Sequence, residues 1–345
     1  MNLLPMWRNE SWWVRVFDFP RIQLSVLLAL LLVLQVIIFN NSLWWTWFML
    51  GVTLACLVYQ IWWITPYTPF FPKEVMRAGP SDPSSRLRIL SANVLTPNRD
   101  SDALIKLVRK YYPHIFVTLE SDGWWEKQLS VLEADYPHVI RCPKDNLYGM
   151  HVYSKLPLED IHISYLVEDD KPSMHAIVPL LNGKKVRMHF LHPAPPSPTE
   201  NDESAERDAE LLIVAKHIKQ TAGNPPTIVT GDLNDVAWSA TTRTFRKLSG
   251  LLDPRIGRGT FNTFHAKYWF LRWPLDHLFH SKHFTLSDLR RLEGFGSDHF
   301  ALFSELVYVG NGNDQESFVH SDREAKQWVQ KKEKEEGVKP SDVPL

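Results

Sequence analysis

The sequence lacks charge where a water-soluble chain would carry it: from Ile22 to Pro72 there is no aspartate, glutamate, lysine or arginine. That stretch is too long to be the buried helical hairpin of a soluble protein. It is also the wrong shape for a cleaved signal peptide, because the apolar region is doubled and no small-residue cleavage site follows it. Cysteine is scarce as well, with only Cys56 in an apolar run and Cys142 in a polar one. Two such residues exclude a disulfide framework and a thiolate metal site. Excess charge of either sign is missing too, since the formal net charge is -1. A dedicated polynucleotide binder normally carries a basic excess, so nucleic acid is a disfavoured partner.

What fills the uncharged stretch is two apolar segments, 22–39 and 43–64, separated by Asn40-Asn41-Ser42. As helices they reach roughly 27 and 33 Å against a hydrocarbon core of about 30 Å. The sequence therefore predicts a transmembrane helical hairpin over 22–65, with the lipid bilayer as a partner. Eight of the fourteen tryptophans (Trp7, Trp12, Trp13, Trp44, Trp45, Trp47, Trp62 and Trp63) fall at or near its ends, where an indole can bury its ring and keep its N–H wet. Arg8, Arg15 and Arg21 precede the hairpin, and Lys73, Arg77, Arg86 and Arg88 follow it. Flanking cations of this kind place both ends, and all that follows, on the cytoplasmic side of an inner membrane. The segment 1–21, including SWWVRVFDFPR, is too charged for a third span and is expected to lie in the interface.

Residues 66–85 contain five prolines and small polar residues, as a linker does. From 86 to 308 short β-branched runs alternate with amphipathic stretches, which predicts a mixed α/β layered domain. Strands are expected at 87–93, 114–120, 150–155, 175–181, 185–192, 226–234, 276–281 and 300–308, with helices at 102–111 and 203–221. Residues 309–345 are highly charged and are expected to be a tail outside the fold, with at most one solvated helix.

Polar residues sit at the ends of these strands: Asn93 after RILSA, Glu120 after IFVTL, His192 after RMHFL, Asp232 and Asn234 in TGDLN, and Asp298-His299 before FALFSEL. Strand ends converge on one rim of a sheet, so these groups can meet in one cleft. Singly, each has an ordinary reading as a turn former, a helix cap or a satisfied histidine.

Taken in order, the strings SAN (91–93), TLE (118–120), FLHPAPP (190–196), TGDLND (230–235), PLDHLFHS (274–281) and GSDHF (296–300) resemble the endonuclease/exonuclease/phosphatase superfamily, the deoxyribonuclease-I-like fold. The resemblance implies a four-layer sandwich of two packed mixed β-sheets flanked by helices. It also implies hydrolysis of phosphate esters with Mg²⁺, for which Mn²⁺ could substitute. By position, Glu120, Asn93 and Asp298 match the metal-facing residues, and Asp232 matches the carboxylate that orients or deprotonates the attacking water. Asn234 and His192 match groups on phosphate oxygens, and Asp276 matches the carboxylate behind the imidazole of His299. The chemistry agrees, since an anionic ester calls for a hard cation on oxygen ligands, and a carboxylate fixes an imidazole's tautomer and steadies its charge.

The chain departs from the family in having Leu119 where glutamine usually precedes the glutamate, and His192 where the DNA-repair branch has tyrosine. The HPAPP loop, PLDH and the apolar hairpin look more like the membrane-anchored bacterial branch, which includes teicoplanin-resistance proteins associated with polyprenyl diphosphates. Those relatives carry the domain outside the cytoplasmic membrane, so the extracytoplasmic side stays open. Lys155, Arg207 and Trp124 are weaker candidates for substrate contact, since surface salt links explain the two cations better and ordinary packing explains Trp124 as well. His151, His175, His189, His265 and His277 lack ligand spacing and read as structural. The expected function is hydrolysis of a phosphodiester or diphosphate, of a lipid or lipid carrier, at a membrane. A membrane-tethered nuclease and a catalytically silent, tethered binding module are the alternatives. No motif points to a protein partner.

Overall fold

Nearly continuous apolar runs such as IFVTL and TIVTGD can be satisfied only in the interior of a sheet covered on both faces. In the computed structural model, which describes residues 4–7, 9–39, 43–221, 223, 225–310 and 315–344, they occupy the middle of two packed sheets. Arg8 and the expected turn at Asn40-Asn41-Ser42 lie outside the described residues. The elements run α1 (Trp12–Arg15), α2 (Arg21–Ile38), α3 (Trp44–Ile64), β1 (Arg86–Asn93), α4 (Ser101–Tyr111), β2 (Ile115–Leu119), α5 (Gly123–Leu129), β3 (His138–Cys142), β4 (Met150–Ser154) and β5 (Glu159–Ser164). They continue with β6 (Ser173–Pro179), β7 (Lys185–Leu191), α6 (Ala205–Gln220), β8 (Thr227–Asp232), α7 (Ala240–Ser249), β9 (Asp276–His280), β10 (Phe284–Arg291), β11 (Leu302–Tyr308) and α8 (Arg323–Glu335).

One sheet has the order β10-β11-β1-β2-β4-β3 and the other β5-β6-β7-β8-β9. Their facing sides share one core, in which Ile89, Val117 and Leu306 of the first meet Met188, Phe190 and Ile228 of the second. Helices α4 and α5 cover the first sheet from outside, and α6, α7 and α8 cover the second. This is the expected four-layer sandwich. Local signals start and stop the helices: Asp100 and Ser239 cap α4 and α7 by accepting backbone N–H groups, and Gly250 ends α7 at φ 73°.

The two parallel pairings matter most for the site. Strand β1 runs beside β2 with Asn93 opposite Leu119, and β7 beside β8 with Leu191 opposite Gly231. Asn93, Glu120, His192 and Asp232 therefore leave their strands at the same rim. Gly231 is fixed by this arrangement, because a Cβ there would lie 2.0 Å from the carbonyl oxygen of Leu191.

Helices α2 and α3 pack against each other with an inverted pattern. Arg21, Ser25, Gln35, Thr46, Thr53 and Gln60 are buried, while Leu30, Ile37, Trp44, Phe48 and Trp62 face outward. At the base, Arg21 donates to Gln60 at 3.1 Å and lies over the ring of Trp63.

Two expectations are corrected. Residues 66–85 are not a free linker: Val75 is buried, Ala78 donates to the Leu286 carbonyl, and Glu74 forms a buried ion pair with Arg246 at 2.7 Å. The proline-rich composition hid one buried carboxylate that has a cation waiting for it. The tail is likewise docked, because α8 buries Trp328 and Val329 on the helical layer, and Lys332 reaches Glu10 at 2.6 Å. Segment 11–21 packs on the domain too, with Val14, Arg15 and Asp18 buried.

Removing Glu74 would strand the Arg246 guanidinium in the interior. Glu74→Ala is expected to cost about 3–5 kcal/mol of stability in chemical denaturation; a loss below about 0.5 kcal/mol would mean the segment is a linker after all.

Candidate active site

The register of the sheets gathers the site. Strand β9 begins at Asp276 directly opposite Asp232, the last residue of β8. Strand β11 pairs antiparallel with β1, Ser91 opposite Leu302, so the loop before β11 returns beside Asn93. In that loop Ser297 donates to the Asn93 carbonyl at 2.8 Å and accepts the His299 N–H at 3.0 Å. Gly296, at φ 92° and with a Cβ position 2.5 Å from Asn98 Oδ1, opens the turn. Glu120 and Asn234 also hold positive φ, 57° and 50°. Neither is glycine, and such conformations concentrate where a side chain must be aimed.

The polar groups form one connected chain. His299 Nδ1 lies 2.8 Å from Asp276 Oδ2, and Nε2 lies 3.5 Å from Asp232 Oδ2. The Asn93 amide nitrogen donates to Glu120 at 2.7 Å and to Asp232 at 3.1 Å. Asn93 thus bridges two carboxylates, and its oxygen accepts the Leu95 N–H at 3.1 Å. Asp232 also accepts the Asn234 N–H at 2.9 Å, and the Asn234 side chain donates to the Pro193 carbonyl at 2.9 Å. The His192 ring lies tilted against that of Tyr148 with centroids 5.2 Å apart, and its Nδ1 is buried without a partner.

Crowding of carboxylates around one imidazole sets the charges. Burial alone would lower His299, but Asp276 and Asp232 outweigh it and raise its pKa to about 10. Burial lifts Glu120 to about 7, with Asp232 and Asp298 adding to the rise against Asn93 and His299. Burial pushes His192 down to about 4, so its ring is neutral at pH 7. Asp232 is raised, first by burial. Glu120 Oε2 and Asp276 Oδ1 are buried without partners. Among the described residues, Asp232, Asp276 and His299 are also a set close enough to hold a cation. Within that set the two carboxylates already face the His299 ring nitrogens, whereas Glu120, which lines the cleft with Asp298, has an oxygen without a partner.

The cleft has a volume of about 480 Å³. Glu120, Asn234, Asp298 and His299 form its polar end. Its remaining wall is mostly apolar: Pro195 and Pro196, then Phe264, Trp273 and Leu275, joined by Trp12, Val16, Phe19 and Pro20 of the N-terminal segment. Sequence reasoning missed these walls. The clustered aromatics of FHAKYWFLRW just before PLDH were the available signal for the first, and nothing local pointed to the second.

The three weaker candidates are not brought to the cleft. Lys155 follows β4 at the end that pairs with Ile115, the opposite end of β2 from Glu120, about 20 Å away by strand rise. There it sits over the rings of Tyr112 and Tyr136. Arg207 is buried, paired with Asp208 at 3.0 Å, and donates to the Asn234 carbonyl at 2.8 Å; it braces the GDLND loop from behind. Trp124 packs on the outer helical layer and under Arg99. His175 and His189 share a buried contact at 2.8 Å, and His277 is held between Arg255 and the Asp235 carbonyl.

In the metal-free protein, Asp276→Asn is expected to lower the His299 pKa by roughly a unit or more in an NMR titration, because it removes the largest charge raising it. An unchanged pKa would mean that Asp276 does not hold the imidazole.

Known proteins share the fold. The chain resembles D. rerio TDP2, solved with a single-strand DNA product, at 18% identity and a TM-score of 0.55, over 64% of this chain and 99% of that one. The human Nocturnin catalytic domain with bound sulfate matches at 16% identity and 0.54, over 66% and 97%. An endonuclease/exonuclease/phosphatase from Bacteroides vulgatus matches at 16% and 0.52, over 65% and 99%. At these identities the likeness is one of fold. No curated protein matches the chain in sequence. The model of the Endonuclease/Exonuclease/phosphatase family, however, matches residues 90–299, from within β1 to the imidazole that ends the polar chain. Every residue gathered at the polar end of the cleft lies inside that match, and the chain belongs to this family of hydrolases acting on phosphate ester bonds.

Proposed function

We propose that the protein is a membrane-anchored, Mg²⁺-dependent phosphohydrolase that cuts a phosphodiester or diphosphate bond in a lipid or lipid carrier. The observation that carries the reading is the makeup of the cleft, whose polar end is catalytic in composition and whose apolar wall includes the segment leading directly into α2. A substrate with a phosphate at one end and a hydrocarbon at the other fits that division. No lysine or arginine lines the cleft among the described residues, which disfavours a polynucleotide backbone. The inverted burial of α2 and α3, polar seam and apolar exterior, supports a hairpin surrounded by lipid. The cations flanking the hairpin favour the cytoplasmic side for the domain.

Glu120 and Asp298 would hold Mg²⁺, with Asn93 keeping Glu120 and Asp232 apart. The unpartnered Glu120 oxygen and its raised pKa fit such a charge. When bound, the ion withdraws charge from the phosphate and makes phosphorus more open to attack. Asp232 accepts the proton of the attacking water; burial makes it a stronger base than an exposed aspartate. The His299 imidazolium, kept charged by Asp276, donates to a phosphate oxygen, and His192 adds a neutral N–H. Asn234 holds the neighbouring loop by its bond to Pro193.

Hydrolysis of a phosphate ester by the purified full chain should require Mg²⁺, and Asp232→Ala or His299→Ala should each lose on the order of 100-fold or more in kcat. Retained turnover in both variants would sink the mechanism. Because Glu120 must give up its proton to bind the ion, Mg²⁺ affinity measured by calorimetry should fall up to about tenfold per pH unit below about pH 7. A flat profile would remove Glu120 from the metal site.

A further inference from the structure

At the foot of α3, away from the cleft, lies a second cavity of about 260 Å³. It shares no lining residue with the catalytic cleft. Its walls are aromatic, with Trp62 and Trp63 from the last turn of α3, Phe71 from the following segment and Phe318 from the C-terminal segment. Arg243 enters from α7 and lies over the Trp63 ring, 4.6 Å from its centroid.

The cations around this cavity differ in one respect. Arg246 is ion-paired with Glu74, and Arg21 with Asp18 at 2.8 Å. Arg243 has neither an ion pair nor a side-chain hydrogen bond among the described residues. A half-buried guanidinium with no acceptor from the protein keeps its donors available to a planar or tetrahedral anion. Burial, with Arg246 and Arg21 nearby, lowers the Arg243 pKa despite Tyr67, a strain that an anion would relieve. The mouth of the cavity is bordered by Trp62, which is 72% exposed, and Val58 and Ile61 continue the outward apolar face of α3 from there. An anion that arrives with hydrocarbon attached can bury both parts at once.

We infer that this cavity binds the phosphate of an anionic phospholipid through Arg243, with Trp62 and Trp63 at headgroup level and the acyl chains along the outer face of α3. The inference rests on the membrane reading proposed above. It assigns a lipid ligand that is not the substrate, at a site that clamps the catalytic domain to the bilayer. Tyr67 carries the link inward, since it lines the cavity and donates to the Ala237 carbonyl at 2.6 Å, behind the Asp232 loop.

The test uses the full chain in mixed micelles containing phosphatidylglycerol and phosphatidylcholine in equal amounts, with the retained phospholipid quantified by mass spectrometry. Wild type should enrich phosphatidylglycerol roughly tenfold, Arg243→Gln should bring the ratio near parity, and Arg243→Lys should keep part of the preference. Absence of enrichment in wild type, or enrichment undiminished in Arg243→Gln, overturns the inference. Displacement of the lipid by inorganic phosphate alone would make this a free-anion site and overturn the lipid assignment. Arg243→Gln should still hydrolyse a soluble phosphodiester with Mg²⁺, since Arg243 does not line the cleft. Release of wild type from membranes by alkaline carbonate would sink the membrane reading as a whole; an integral protein without lipid preference sinks this inference only.

Discussion

Two hydrogen bonds tie the apolar hairpin to the loop that follows Asp232, and the rest of the architecture depends on them. The Trp238 indole N–H donates to the Asp18 carbonyl at 2.8 Å, just before α2 begins. The Tyr67 hydroxyl, just after α3 ends, donates to the carbonyl of the adjacent residue, Ala237. Both ends of the hairpin are therefore fixed to consecutive residues a few positions beyond Asp232 and Asn234. Trp238, Tyr67 and Val236 share a buried cluster there. Any surface on which α2 and α3 stand is held at a set distance from the cleft, which is why the N-terminal segment can serve as one of its walls.

The second constraint is charge. Glu120, Asp232, Asp276 and Asp298 act on a single imidazole, and burial raises the cost of leaving that negative charge unbalanced. His299 answers part of it as a cation, and Asn93 answers part of it through two hydrogen bonds. The remainder, concentrated on the unpartnered oxygen of Glu120, gives a divalent cation a reason to bind.

Much of this was legible in the sequence because strand-end position is a sequence property. Once IFVTL and TIVTGD read as interior strands, Glu120 and Asp232 had to leave at a rim, and the parallel register of β1 with β2 and of β7 with β8 carried Asn93 and His192 to the same place. Charge and proline content misled where tertiary pairing decided the outcome. Glu74 and Lys332 look solvated in sequence, and each is buried against a partner distant in the chain, Arg246 and Glu10 respectively. Arg207 likewise looked available to a phosphate, and only the fold reveals that Asp208 and the Asn234 carbonyl already hold it. The edge strands β3, β5 and β10 were not foreseen, since half-exposed strands have weaker patterns than interior ones.

The central claim is that the cleft presents a phosphohydrolase centre to an amphiphile at a bilayer surface. The most direct measurement compares Mg²⁺-dependent hydrolysis of one phosphate group in two settings, on a long-chain isoprenyl diphosphate in phospholipid vesicles carrying the full chain and on a short-chain soluble analogue. The account predicts a kcat/KM at least roughly tenfold higher for the bilayer-embedded substrate, the loss of apolar contacts costing the soluble one more than 1.4 kcal/mol. Equal rates for both, or faster cleavage of naked single-stranded DNA with steep salt dependence, would contradict it.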